Sequence, residues 1–195
     1  MKKNAGQTKS RIVSAAWMLF YKNGYENTTI DDIVELSETS KGSFYHYFSS
    51  KDALLGSLSY LFDDKYSELE ASMPSGMGPL EALLYMNHEL FLMIENTVSV
   101  TMLCQLFSTQ LVTKGEKYLL SPDRTYYKML RKYAIAGKEA GIFKDELTVN
   151  DIIKAYALYE RAIMYDWCLS SGNYSILQYS QTMLPLFMQG LCANR

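Results

Sequence analysis

The chain has 195 residues, 48% of them hydrophobic and 21% charged, which is the balance of a folding globular chain and excludes the charge-rich, apolar-poor regime of disorder. Its apolar runs are broken well short of the roughly 20 residues that span a bilayer, and the start, MKKNAGQTKSR, holds no apolar signal segment, so a cytoplasmic protein with no membrane partner is expected. The net charge of −2 conceals an asymmetry: residues 1–51 carry seven Lys/Arg against five Asp/Glu, net +2, and the remainder twelve against sixteen, net −4, so the basic bias sits in the N-terminal quarter.

Apolar residues recur at helical spacing through nearly every segment, and strand-type alternation is absent. The first helix is predicted from Ser10, with Ile12, Ala16, Leu19 and Phe20 on one face, ending at Asn23-Gly24, where glycine suits the left-handed position after a helix. Thr29 with Asp32, Ser49 with Asp52 and Thr148 with Asp151 have the spacing of capping boxes, and Ser121-Pro122 offers a cap followed by a first-turn proline. A short helix is predicted from Lys41 to Phe48, then one of roughly five turns from Lys51 to Glu70, with Leu54, Leu58, Leu61, Phe62 and Leu69 as its stripe. The Gly/Pro-rich stretch MPSGMGP, residues 73–79, reads as a loop. Leu80–Ile94, Val100–Leu111, Thr125–Lys138, Asp151–Leu169 and Ser175–Leu191 follow as helices, with Pro185 expected to kink the last.

Chemistry-bearing clusters are sparse. Cys104, Cys168 and Cys192 lack metal-ligand spacing and read as reduced thiols. His88-Glu89 has no second histidine at helical spacing, and His88 itself falls on the Leu84 and Phe91 stripe, the position of a core histidine. No catalytic constellation, metal or cofactor is implied, so an enzyme is not expected. The segment TTIDDIVELSETSKGSFYHYFSSKDALL differs. It reads as two short helices joined by a tight turn, with Ile33, Val34, Phe44 and Phe48 inward and Ser40, Lys41, Ser43, His46 and Tyr47 outward, the arrangement of a helix that enters a DNA major groove.

In these residues the first 55 or so positions resemble the TetR family of bacterial repressors: Ala16, Phe20, Gly24-Tyr25, Thr28-Thr29, Ile33, Ser40-Lys41-Gly42-Ser43-Phe44-Tyr45, Phe48, Lys51 and Leu54 stand in one register. The resemblance implies phosphate or base contacts for Thr28, Thr29, Ser40, Lys41, Tyr45 and Lys51, while Ser43, His46 and Tyr47 are placed to read base edges. Where the family's turn is Ala-Gly-Val, this chain has Ser37-Glu38-Thr39. Glu38 therefore occupies the left-handed position at a local cost of about 1 to 2 kcal/mol, and its carboxylate comes near the DNA.

The rest of the chain matches the family in pattern. The last two long helices are expected to pair with their copies in a second subunit through Ile152, Tyr156, Ile163, Tyr179, Met183, Leu186 and Phe187. The chain holds 16 Tyr, 11 Met and 8 Phe, types suited to an apolar or aromatic effector, and His88, Met93, Met102, Phe107, Tyr127, Tyr159 and Trp167 are the candidate pocket lining. The expected architecture is all-α, about nine helices: a three-helix helix-turn-helix DNA-binding domain over residues 1–50, then an effector-binding and dimerisation domain over 51–195. The expected function is a homodimeric repressor that binds a palindromic double-stranded DNA operator and is released by a small molecule. The alternative is an effector-independent architectural or protein-binding dimer on the same fold.

Overall fold

The structure is a computed structural model that describes residues 2–55, 58–112 and 117–193, with only the backbone described at 2–6, 55 and 58–60. Ten α-helices form among these residues: α1 (Lys2–Asn23), α2 (Ile30–Leu36), α3 (Lys41–Tyr47), α4 (Lys51–Leu55), α5 (Leu58–Ser72), α6 (Pro79–Thr97), α7 (Val100–Val112), α8 (Thr125–Glu139), α9 (Val149–Leu169) and α10 (Ile176–Gln189). The all-α architecture is borne out; the described residues hold no strand, only a single bridge between Phe143 and Cys192.

Several boundaries move, each for a local reason. Helix α1 begins at Lys2 rather than Ser10: Lys2, Lys3, Ala5, Gln7 and Lys9 favour helix, and no proline interrupts the stretch. The cap of α4 is Ser50, not Ser49: the Ala53 amide donates to Ser50 Oγ at 3.1 Å, while Asp52 is engaged by the Tyr25 hydroxyl. Ser121-Pro122 makes a turn closed by the Arg124 amide on Ser121 O (3.4 Å), and α8 starts beyond it with Arg124 at the N-cap and no side-chain cap. The helix expected from Lys51 to Glu70 is present as α4 and α5, whose junction at 56–57 lies outside the described residues. Helix α10 carries Pro185 inside it as one element.

By packing, the chain divides into two compact units, Met1–Tyr60 with Thr101–Tyr118, and Leu61–Val100 with Leu119–Arg195. In the first, α1, α2 and α3 pack together around Ile12, Ala16, Phe20, Ile33 and Phe44, all sealed from solvent. Each large apolar side chain so buried contributes about 1.5 to 3 kcal/mol. Gly24 ends α1 at φ +82°, and its amide donates to Phe20 O (3.0 Å). In the second unit, α6 packs against α8 and α10, and α9 joins both. Gly137 of α8 lets the Phe143 ring lie against the helix backbone: a Cβ there would fall 2.3 Å from a ring carbon.

Candidate nucleic-acid interface and ligand cleft

Helix α2 opens on a complete capping box: the Asp32 amide donates to Thr29 Oγ1 (3.2 Å) and the Thr29 amide to the Asp32 carboxylate (2.8 Å). The Thr29 bonds hold the Asp32 carboxyl below its ordinary range. The turn from α2 to α3 passes through Glu38 at φ +48°, the left-handed conformation expected where the family pattern has glycine. Arg11 of α1 supports it, donating to the backbone carbonyls of Ser37 and Glu38 and pairing with the Glu38 carboxylate at 3.2 Å. Ser40 then caps α3, accepting from the Ser43 amide at 3.0 Å. Arg11 was not legible as part of the site; it stands 26 residues from Ser37.

Helix α3 is two-sided. Phe44 is fully buried and Phe48 nearly so, while Tyr45 is 55% exposed and Ser40, Lys41 and His46 face solvent. Ser43 and Tyr47 are half-buried, Tyr47 edge-on to His46 with ring centroids 4.8 Å apart. Lys41 bonds Asp31 at 2.7 Å, which raises the ammonium's pKa. Two expected DNA contacts are taken up internally. Thr28 is sealed, its hydroxyl on Gly24 O (2.9 Å), where it closes the end of α1. Lys51 donates to the carbonyls of Tyr25 (2.8 Å) and Thr28 (2.9 Å) and lies 4.2 Å from the Tyr25 ring centroid, so two of its three N–H donors clamp the loop before α2.

The second unit holds an open cleft of about 330 Å³ lined by α6 and α10 and the loop before α6: Met77, Glu81, Leu84, Tyr85, Asn87, His88, Ser180, Gln181, Leu184 and Pro185. Of the seven candidate pocket residues only His88 lines it. Met102 is core of the first unit, and Phe107 belongs to that unit too. Met93 is half-buried on α6, Tyr127 donates to Leu119 O (3.2 Å), and Trp167 is packed with its indole N–H on Tyr174 O (2.9 Å). Tyr159 is buried, its ring stacked on Phe187 at 4.9 Å and its hydroxyl 3.4 Å from Ser180 Oγ.

Behind the cleft lies a network the periodicity did not reveal. Glu160 is 2% exposed and accepts from Asn87 Nδ2 (2.9 Å) and the Tyr126 hydroxyl (2.7 Å); Ser180 Oγ donates to Asn87 Oδ1 (2.7 Å). Burial pushes the Glu160 carboxyl up, against the opposing hydrogen bonds from Tyr126 and Asn87. The Tyr156 hydroxyl spends its hydrogen on Leu83 O (2.8 Å), and the Tyr66 hydroxyl, buried beside Tyr126, has no hydrogen-bond partner among the described residues.

The expected dimer residues divide as well. Ile152 and Tyr156 are 1% exposed inside their own unit, so neither forms a surface. Ile163, Met183 and Phe187 are half-buried, and Tyr179 and Leu186 are open. The face of α9 that is open and apolar is instead Leu158, Tyr165 and Leu169, spaced 7 and 4 apart on one stripe.

A capped turn that projects an exposed seven-residue helix from the packed cluster of α1, α2 and α3 is a helix-turn-helix. Residues 12–58 match the family model of bacterial regulatory proteins of the tetR family. Over this N-terminal stretch the chain is similar to the TetR family. It is 42% identical over 60 residues to the HTH-type transcriptional regulator QacR of Staphylococcus aureus, 31% of this chain and 32% of that protein. It is 26% identical over 200 residues to the HTH-type transcriptional repressor KstR2 of Mycobacterium tuberculosis, 98% of each. In two matches above 40% identity the chain spans only a quarter to a third of the relatives' own length. The fold resembles FadR of Bacillus subtilis in complex with stearoyl-CoA, with a TM-score of 0.70 at 18% identity over 94% of this chain and 99% of that one. These relatives are regulators, not enzymes. No single helix among the described residues is long and apolar enough to cross a membrane.

Proposed function

We propose that this regulator is a cytoplasmic repressor that binds a palindromic operator as a homodimer and is released by a small molecule, with residues 1–50 as the DNA-binding domain and 51–195 as the effector-binding and dimerisation domain. The observation that carries it is the division of α3: Phe44 is sealed against the core while Lys41, Tyr45 and His46 are exposed on its other side, Lys41 paired there with Asp31. Ser40, Lys41, Tyr45 and Thr29 meet phosphates, and Ser43, His46 and Tyr47 read base edges. Lys51 acts first as a clamp on the loop before α2. The second copy presents its α3 roughly 34 to 36 Å away, one turn of B-DNA.

The dimer surface is the open apolar stripe of α9, Leu158, Tyr165 and Leu169, with Tyr179 and Leu186 of α10. Five large apolar side chains, from 43% to 68% exposed, are an expensive surface for a monomer to leave in water. The effector binds the second unit, which holds the cleft; proteins of similar fold include FadR in complex with stearoyl-CoA and RolR in complex with resorcinol. Whatever it is, it releases DNA by binding the DNA-incompetent state better, and operator binding must weaken its affinity by the same factor.

Selection of bound genomic fragments, followed by fluorescence anisotropy across a salt series, tests this reading. Lys41→Ala is expected to weaken binding to all sequences and to reduce the slope of log K against log salt by about one. A native protein that selects no common sequence, or one that binds DNA as a monomer by light scattering, would overturn it.

A further inference from the structure

The floor of the α6/α10 cleft is chemically one-sided. Asn87 and Ser180 are 2% and 0% exposed, yet both line the cleft. Glu160, at 2.9 Å, takes the Asn87 amide nitrogen inward, and this fixes the amide: Oδ1 is left on the Ser180 side, where it receives the Ser180 hydroxyl at 2.7 Å. Ser180, having spent its hydrogen, offers only lone pairs, with the Tyr159 hydroxyl 3.4 Å away on its other side. Asn87 Oδ1 keeps one lone pair as well. His88 extends the pattern, because its Nδ1 lies 3.2 Å from the Glu89 carboxylate, which leaves Nε2 of the neutral ring as an acceptor. Glu81 adds a carboxylate, and among the described lining residues there is no Lys or Arg. The walls are mostly apolar, Met77, Leu84, the Tyr85 ring, Leu184 and Pro185, with the Gln181 amide and the Tyr85 hydroxyl as their polar groups. At about 330 Å³ the space lies at the small end of ligand sites, which run from roughly 300 to 1,000 Å³.

We propose that this cleft binds a small apolar amine in its ammonium form, the head donating to Asn87 Oδ1 and Ser180 Oγ and the apolar body lying on Leu84, Tyr85 and Leu184. The two atoms at the floor's centre, Asn87 Oδ1 and Ser180 Oγ, are acceptors, while the lining's donors, the Tyr85 hydroxyl and the Gln181 amide, stand on half-buried and exposed residues; a head seated on the floor therefore donates, and an ammonium supplies three donors and the charge that Glu81 complements. A carboxylate or phosphate head on the floor meets the lone pairs of Asn87 Oδ1 and Ser180 Oγ with no Lys or Arg in the lining to offset them, and is disfavoured. Glu160 is a positioning residue: it sets the amide of Asn87 and does not touch the ligand. The inference rests on the reading of this chain as an effector-controlled regulator, of which it names the effector class.

Calorimetry with three probes of one size tests it on the full-length protein: 2-phenylethylamine, 2-phenylethanol and 3-phenylpropanoate. The amine is expected to bind saturably, at least tenfold tighter than either of the others. Asn87→Leu should remove that preference, Leu84→Trp, at a half-buried wall position, should occlude all binding, and Glu160→Gln should keep amine affinity within about threefold, because its carbonyl still accepts from Asn87. Glu160→Met, which cannot hold the amide, should narrow the preference. Circular dichroism confirms folding of each variant, and Leu84→Trp stands as the test if the buried variants do not fold. Equal binding of the alcohol, tighter binding of the acid, or amine binding untouched by Leu84→Trp would overturn the inference. No DNA enters the measurement, so a protein that takes the amine but keeps its operator in its presence retains this site and loses the repressor-release reading.

Discussion

The two units assemble their working surfaces in opposite ways. In the first, the working groups lie within a short stretch of chain and face out: Thr29 caps α2, Ser40 caps α3, and Lys41, Tyr45 and His46 stand in solvent beside them. In the second, the groups that shape the cleft floor are drawn from three helices, with 73 residues between Asn87 and Glu160 and 93 between Asn87 and Ser180, and all three are buried. A surface built from one segment keeps its chemistry when the core beneath it is altered modestly. A floor built from three helices keeps it only as long as their packing holds.

The largest test of that contrast is Phe44→Ala, which removes the anchor under α3 and is expected to cost about 3 to 5 kcal/mol, abolishing DNA binding. Retained DNA affinity would mean that α3 does not depend on its buried side. Gly137→Ala strikes the packing of the second unit: Phe143 is 1% exposed and has nowhere to swing, so a loss of about 1 to 3 kcal/mol in chemical unfolding is expected. Trimming the ring with Phe143→Leu in the same chain should recover part of it.

Glu160→Gln sharpens the comparison through pH. Burial raises the folded carboxyl above its ordinary 4.5, so the folded state holds its proton more tightly than the unfolded one. The stability this group contributes is full below pH 4.5 and is lost as pH rises through the folded value. The Gln variant escapes that loss, so its unfolding midpoint should gain on the native protein as pH is raised from 4.5 to 8; parallel curves would contradict a raised pKa. The smallest effect belongs to Glu38→Gly, which relieves a φ of +48° and gives up an exposed ion pair with Arg11. Relief worth about 1 to 2 kcal/mol against a pair worth about 0 to 1 leaves a net gain near 1 kcal/mol, measurable as a raised denaturation midpoint.

What sequence revealed follows the same contrast. The capping boxes at Thr29 and Thr148, the left-handed positions at Gly24 and Glu38 and the buried Phe44 were legible because each is decided within a few residues. The roles of Arg11, Lys51 and Asp52 were not, since each side chain reaches a partner 23 to 27 residues away that no periodicity encodes. Helix α9 misled for another reason. It is apolar on nearly every side, so spacing alone could not decide between Ile152 and Tyr156, which face its own core, and Leu158, Tyr165 and Leu169, which face out. Glu160 sits among those apolar positions and gave no sign of being the acceptor around which Asn87 and Tyr126 are arranged.

The Arg11 clamp has a mechanical consequence. A helix-turn-helix whose turn is free to flex absorbs a displacement in that turn and leaves the reading helix where it was. Here the guanidinium staples the bend to the long first helix by two carbonyls and a carboxylate, so compliance is removed at the one joint where it would be expected. A displacement of that helix is therefore passed to the turn that leads into α3.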